Sequence, residues 1–262
     1  MKLIKLAFQR EIAMPMLSLT FASGVCLMLV SARIIWTGNL HYAFLIWNLF
    51  LAWLPLMFAS LAAEHYRTGS GRGWRFLTSA ACWLLFFPNA PYIFTDIIHL
   101  TRGYFAHFWV DLVLILSCAL TGLVLGFMSL FLMQSMVART LGRIASWLFI
   151  AGVAGLSGIG IYVGRFLRLN SWDIVFKPLV FSRGMGHLAV DPFAHFGSIA
   201  LAALFATFLF ITYLILYGLT HLRVPAERAA FQRNLKSCVG DKTMNAKRIL
   251  PDFGSRDPRT LE

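Results

Sequence analysis

The sequence predicts an all-α integral membrane protein, a polytopic bundle of about six transmembrane helices. Of its 262 residues, 59% are hydrophobic and 13% are charged, whereas a soluble domain averages about 25% charged residues. The mean hydropathy is +0.72. Apolar stretches of the length that crosses a hydrocarbon core of about 30 Å recur along the chain. This composition excludes an ordinary soluble enzyme, a disordered chain and a small disulfide scaffold.

Six apolar stretches are long enough to cross a membrane as helices. They cover residues 13–35, 42–63, 76–98, 108–133, 144–162 and 197–218. The third contains Pro88 and Pro91, which lack backbone donors, so we expect its helix to kink or break at the Pro-Asn-Ala-Pro segment. We therefore predict a transmembrane domain over residues 1–221 and a basic, loosely ordered tail over residues 222–262.

The formal net charge of +12 reflects membrane topology rather than nucleic-acid binding, because the basic residues lie in short segments between the spans. Lysine and arginine are more frequent in the segments that a cytoplasmic N-terminus places inside the cell. We therefore predict a multi-pass protein of the cell membrane with both termini in the cytoplasm. Membrane lipids are the expected partners, and no nucleic-acid partner is expected.

Acidic side chains outside the tail are distributed unevenly. The aspartates all lie at the predicted outer ends of spans or in outer loops: Asp96, Asp111, Asp173 and Asp191. Ionisable groups near a bilayer are costly, and they are usually paired or functional. The outer end of the bundle is therefore where we look for a site.

The first candidate stretch is FPNAPYIFTDIIHL, residues 87–100. If the chain after Pro91 is α-helical, Tyr92, Asp96 and His99 share one face. An aspartate one turn from a histidine can orient the ring and serve a metal or a proton transfer. Asn89 and Tyr92 are candidate substrate contacts. The structural alternative is that Asp96 pairs with an arginine while His99 simply lies at the interface.

Asp111 opens the fourth span within FWVDL. A carboxylate in a first helical turn is stabilised by the helix dipole, which is a sufficient structural reason for it. Together, Asp96 and Asp111 form a candidate pair for acid–base work or for a divalent metal. The predicted catalytic residues, and the metal ligands if there is a metal, are therefore Asp96, His99 and Asp111.

The third candidate stretch is YVGRFLRLNSWD, residues 162–173. Arg165 and Arg168 are three residues apart, and two guanidinium groups on one face suit a phosphate or a carboxylate. Their charge must be offset by Asp96 or Asp111 inside the protein or by lipid phosphate, and Arg168 reaching lipid headgroups is the plain alternative. The same stretch adds three further candidates for substrate contact: Asn170, Trp172 and Asp173.

Two features predict close packing between helices. Gly122 and Gly126 form a GxxxG pattern in the fourth span, which allows close helix crossing and could support a homo-oligomer. Asn48 and Pro55 in the second span predict an interhelical hydrogen bond and a kink.

Four stretches together resemble a known family: NLFLAWLP (48–55), FPNAPYIFTDIIHL (87–100), WVDLVLILSCALTGLVLGFMSL (109–130) and GIYVGRFLRLNSWD (160–173). They are similar to the bacterial membrane family called domain of unknown function 1361, from about Asn48 to Leu219. The resemblance implies an integral membrane protein of the bacterial inner membrane. It supplies no activity, substrate or residue roles.

Three functions fit these residues. The favoured one is a membrane-embedded enzyme whose outward-facing Asp/His/Arg site acts on an anionic or lipid-linked substrate, because two arginines with aspartate and histidine exceed what packing requires. A small-solute transporter or channel would use the broken third span as a solute pathway. A membrane assembly or binding subunit would use the glycine-lined helix faces to dock partner helices.

Overall fold

The computed structural model describes residues 10–68, 73–102, 107–166, 179 and 196–220. All regular structure in these ranges is helical. Six of the helical segments are long and apolar enough to cross a membrane. The predicted fold class, an all-α membrane bundle, is confirmed. The predicted tail, residues 222–262, lies outside the described residues.

Seven α-helices and two 3-10 helices form the described part of the chain. The α-helices are α1 (Arg10–Thr37), α2 (Ala43–Arg67), α3 (Trp74–Phe86), α4 (Asn89–Tyr92), α5 (Phe108–Leu141), α6 (Arg143–Phe166) and α7 (Phe196–Thr220). The 3-10 helices are Leu40–Tyr42, directly before α2, and Ile93–Arg102, directly after α4. The chain forms two compact units, Met1–Tyr213 and Leu214–Glu262, and the contacts below lie within the first.

The longest helix, α5, continues beyond its predicted end at residue 133 to Leu141. Gly142 alone separates α5 from α6. Its φ of 90° is a conformation that glycine adopts without strain. Gln134, the first residue after the predicted end of the span, is buried and accepts a hydrogen bond from the Tyr213 hydroxyl. A paired amide is tolerated inside a bundle.

Helix α1 packs against α5 through one regular stripe. Its buried side chains are Leu19, Ser23, Cys26, Val30 and Arg33. Their spacing of four and three residues in alternation is the heptad pattern of a left-handed helix pair. Cys26 Sγ lies 3.5 Å from Thr121 Oγ1 and Arg33 contacts Asp111. Residue numbers rise along α1 from Cys26 to Arg33 while those of their α5 partners fall, so the two helices are antiparallel.

The third span is broken, as the prolines predict. Helix α3 ends at Phe86, α4 is a single turn beginning at Asn89, and the chain then continues as a 3-10 helix. This broken segment lies against the glycines of α5. A Cβ atom on Gly122 would lie 2.7 Å from Ile93 Cδ1, and one on Gly126 would lie 2.9 Å from Ala90 Cβ. The GxxxG pattern therefore serves a close contact inside the chain, and the homo-oligomer stays a prediction.

Candidate functional site

Polar side chains from five elements lie at the same end of the bundle, because consecutive spans run in opposite directions. This end contains the last turns of α1 and α6, the first turns of α2 and α5, and the 3-10 helix after α4. Its polar residues with mutual contacts are Arg33, Asn48, Asp96, Asp111 and Arg165. They form two arginine–aspartate pairs of different construction.

The open pair is Arg165–Asp96. The Asp96 side chain is 2% exposed, and its Oδ1 accepts a hydrogen bond of 3.2 Å from Arg165 Nη1. Its Oδ2 accepts a hydrogen bond of 2.8 Å from Asn48 Nδ2. The Arg165 side chain is 18% exposed. The carboxylate is thus held inside the bundle by two helices, while the guanidinium remains partly accessible.

Tyr92 belongs to the same cluster. Its ring centre lies 6.0 Å from Arg165 Cζ, a cation–π contact. Tyr92 closes α4 and Asp96 lies in the 3-10 helix, so the uniform α-helical face expected after Pro91 is wrong. The change from α to 3-10 geometry follows the break at the prolines. Tyr92 and Asp96 nevertheless both contact Arg165.

The sealed pair is Arg33–Asp111. Arg33 Nε donates to Asp111 Oδ1 at 2.7 Å and Arg33 Nη2 donates to Asp111 Oδ2 at 3.1 Å. The two side chains are 7% and 6% exposed. The rings of Trp36 and Tyr42 lie 5.6 and 5.9 Å from Arg33 Cζ. Two parallel hydrogen bonds between a guanidinium and a carboxylate fix both the distance and the orientation of the pair.

The structure describes few contacts of the remaining predicted site residues. Asn89 is the partly buried first residue of α4. The side chain of His99 lies outside the described part of the structure, as do four whole residues: Arg168, Asn170, Trp172 and Asp173. Within the described residues, no three His, Cys, Asp or Glu side chains are placed to hold a metal ion. A divalent metal at Asp96, His99 and Asp111 therefore remains a prediction.

Two site residues were not among the predicted ones. Arg33 is the only charged residue in the apolar stretch 13–35, which was the available signal that it needs a buried partner. Asn48 was predicted to make an interhelical hydrogen bond, and that is confirmed by its contact with Asp96. Its membership of the site could not be inferred without knowing which carboxylate it meets.

A family model described as "Protein of unknown function (DUF1361)" matches residues 47–216. The chain belongs to this family. The resemblance predicted from the four stretches is confirmed. Searches of curated proteins and of solved structures found no match.

The part of the chain matched by DUF1361 contains the whole open pair, including Asn48. It contains Asp111 of the sealed pair, but Arg33 lies before its first residue. The buried carboxylate at the start of α5 is therefore neutralised by a helix outside the family match.

Proposed function

We propose that the protein is a membrane-embedded enzyme that acts on an anionic or lipid-linked substrate at the open pair. Arg165 would bind the anionic group, and Asp96 would accept or donate a proton. The observation that carries the proposal is that Arg165 makes one hydrogen bond to a buried carboxylate and stays partly exposed. The sealed pair offers no comparable opening, because its arginine is held by two hydrogen bonds and is almost fully buried.

The donor count of Arg165 supports anion binding. A guanidinium has five N–H donors, and the hydrogen bond to Asp96 uses one of them through Nη1. The others are sufficient for two parallel hydrogen bonds to a phosphate or a carboxylate. Charge-assisted hydrogen bonds gain strength in the low-dielectric environment at the edge of a membrane.

The fixed carboxylate supports a proton-transfer role. Asn48 holds Oδ2 of Asp96, and Oδ1 points to Arg165. An anion bound to Arg165 would therefore lie one side chain away from the Asp96 carboxylate, which Asn48 and Arg165 help to hold in place. Geometry of this kind is required of a general acid or base. In the proposed orientation both termini are cytoplasmic, so this end of the bundle faces outward.

A binding experiment tests the anion site. Diethyl phosphate, a soluble phosphodiester, is titrated calorimetrically into the purified protein in detergent. We expect binding that weakens at least about tenfold in Arg165→Gln, since a charge-assisted hydrogen-bonded contact is worth about 1.5–3 kcal/mol. The matched control is Arg139→Gln, an exposed arginine in the last turn of α5 at the other end. Equal affinity in the wild type and in Arg165→Gln would contradict the proposal.

A second experiment tests catalysis. The wild type, Asp96→Asn and Arg139→Gln are incubated in liposomes containing a bacterial polar lipid extract, and mass spectrometry follows the lipid species over time. We expect a conversion that requires Asp96 and does not require Arg139. Asparagine keeps the size of the side chain and an acceptor for Asn48 but loses the acceptor that Arg165 uses. Loss of conversion therefore identifies a proton-transfer role where folding and the binding of diethyl phosphate are both retained.

The break in the third span favours a second candidate, a transporter. Interrupted helices line solute sites in many transporters because they leave backbone polar groups free. Flux of diethyl phosphate into liposomes, reduced by Asn89→Ala and without chemical change of the solute, would support transport over catalysis.

A further inference from the structure

We infer that Arg33 binds the ester carbonyl oxygen of a membrane glycerolipid through its Nη1 nitrogen. The inference concerns the sealed pair and does not depend on the function proposed for the open pair. It begins with an unfilled donor on a buried side chain.

Arg33 uses two of its three nitrogens inside the protein. Nε and Nη2 donate to the two oxygens of Asp111. Nη1 is buried and has no hydrogen-bond partner among the residues that the structure describes. A buried donor without an acceptor is costly, and nearly all such groups in proteins are paired. A group of the surrounding membrane can supply such an acceptor.

The charge of the pair selects the chemistry of that acceptor. Arg33 and Asp111 together are neutral, and their bidentate contact places the carboxylate next to the guanidinium. An anionic phosphate at Nη1 would add a second negative charge beside a guanidinium whose charge Asp111 already offsets through both of its oxygens, whereas Asp96 meets Arg165 through one oxygen. A neutral oxygen acceptor has no such penalty.

The depth of the pair in the membrane indicates which lipid group can supply the acceptor. Arg33 lies one helical turn, about 6 Å, before the end of α1 at Thr37. Trp36 and Trp109 lie close to this pair in the sequence, and their side chains are 66% and 75% exposed. Exposed tryptophans are expected at the interface between lipid and water. The pair thus lies at the boundary between the hydrocarbon core and the headgroups, where the ester groups of glycerolipids are found.

The rings beside Arg33 indicate the route to Nη1. Tyr42 is buried, whereas Trp36 is exposed and its ring rests on His107, with 5.3 Å between ring centres. In the proposed complex, the exposed Trp36 ring turns aside and lets an acyl ester reach Nη1 while the contact with Asp111 stays intact.

The test compares lipids that differ in this one oxygen. Full-length protein is purified from mixed bicelles containing equal amounts of diacyl phosphatidylcholine and its dialkyl ether analogue, and native mass spectrometry counts the retained lipids. We expect about a fivefold preference for the ester lipid, the factor expected for one net hydrogen bond. Equal retention of the two lipids by the wild type would overturn the inference.

A pair of conservative variants locates the preference. Arg33→Lys keeps the charge opposite Asp111 but has a single nitrogen, so we expect equal retention of ester and ether lipids. Arg139→Lys makes the same change at an exposed arginine at the other end of α5 and should keep the wild-type preference. A preference that survives in Arg33→Lys would place the ester contact elsewhere and overturn the assignment. If Arg33→Lys does not fold, the wild-type competition still decides.

A third arm separates a neutral from an anionic ligand. The same competition is run between diacyl phosphatidylglycerol and diacyl phosphatidylcholine. The preference of the Arg33 site is measured as the difference in retention between the wild type and Arg33→Lys. We expect no preference for the anionic headgroup. An anionic preference that disappears in Arg33→Lys would overturn the ester assignment in favour of a phosphate. Binding of diethyl phosphate at Arg165 should be unchanged in Arg33→Lys, so failure of either proposal is seen separately.

Discussion

The sealed and open pairs use the same two residue types at the same end of the bundle, yet they differ in geometry and access. In the sealed pair, two hydrogen bonds join side chains that are both more than nine-tenths buried. In the open pair, one hydrogen bond joins a buried carboxylate to a guanidinium that is 18% exposed. The residue types alone do not assign a role to such a pair. The number of donors already used and the accessible fraction of the arginine distinguish the pair that is open to an anion from the pair that is closed to one.

The largest expected effect comes from breaking the sealed pair. Arg33→Leu leaves Asp111 as a buried carboxylate without its cation, and removing one partner of a buried ion pair costs about 3–5 kcal/mol. Thermal unfolding in detergent, followed by circular dichroism, measures the loss. The double variant Arg33→Leu/Asp111→Leu removes both charges and should recover most of the stability. If it does not recover, the pair contributes through packing rather than through charge.

Breaking the open pair should cost less. Arg165→Leu removes a partly exposed arginine with one hydrogen bond to Asp96, and we expect a loss of about 1–3 kcal/mol, the cost of leaving a buried polar group with a partner missing. The same unfolding measurement is made beside Arg33→Leu. A loss equal to or larger than that of Arg33→Leu would remove the distinction between the two pairs.

A substitution on α5 tests how the open pair is positioned. Gly122→Ala introduces a Cβ atom 2.7 Å from Ile93 Cδ1 and 3.1 Å from the Ala90 carbonyl oxygen. Overpacking of this kind costs about 1–3 kcal/mol, and the shift affects the segment that carries Asp96. The control is Gly152→Ala on α6, where no atom lies within 4 Å of the new Cβ. A weaker affinity for diethyl phosphate in Gly122→Ala alone would link this packing to the site.

The smallest effect is expected at Asn48. Asn48→Leu removes the hydrogen bond to Asp96 Oδ2 and should destabilise the protein by about 1 kcal/mol or slightly more. Asn48→Gln keeps the amide on a longer stem and serves as the control. The sharper measurement is the rate of the lipid conversion proposed for Asp96, which Asn48→Leu should reduce more than it reduces stability.

Much of this architecture follows from the sequence, because hydrophobic length and proline chemistry act locally. The six spans and the break at Pro88 and Pro91 are of this kind. The burial of Gln134 depends instead on Tyr213, 79 residues away, whose hydroxyl donates to its side-chain carbonyl oxygen. The local sequence around Gln134 does not indicate such a distant partner.

The residue types of the candidate site could be predicted from the sequence, but which arginine pairs with which aspartate could not. Asp96 and Arg165 were both recognised, and their ion pair was one of the alternatives. Asp111 was grouped with Asp96 because both lie at one end of the bundle. The antiparallel register of α1 on α5 assigns Asp111 to Arg33 instead, and this register is a property of packed helices that no single helix encodes.

The distance along the chain between Arg33 and Asp111 bears on how the protein enters the membrane. Arg33 is synthesised 78 residues before its carboxylate, so α1 enters the bilayer before its charge can be neutralised. Its position one turn from the helix end lets the long side chain extend to the headgroups during this interval. Arg33 can pair with Asp111 only after α5 has been synthesised, and the pair then joins the first span to the family-matched part of the chain.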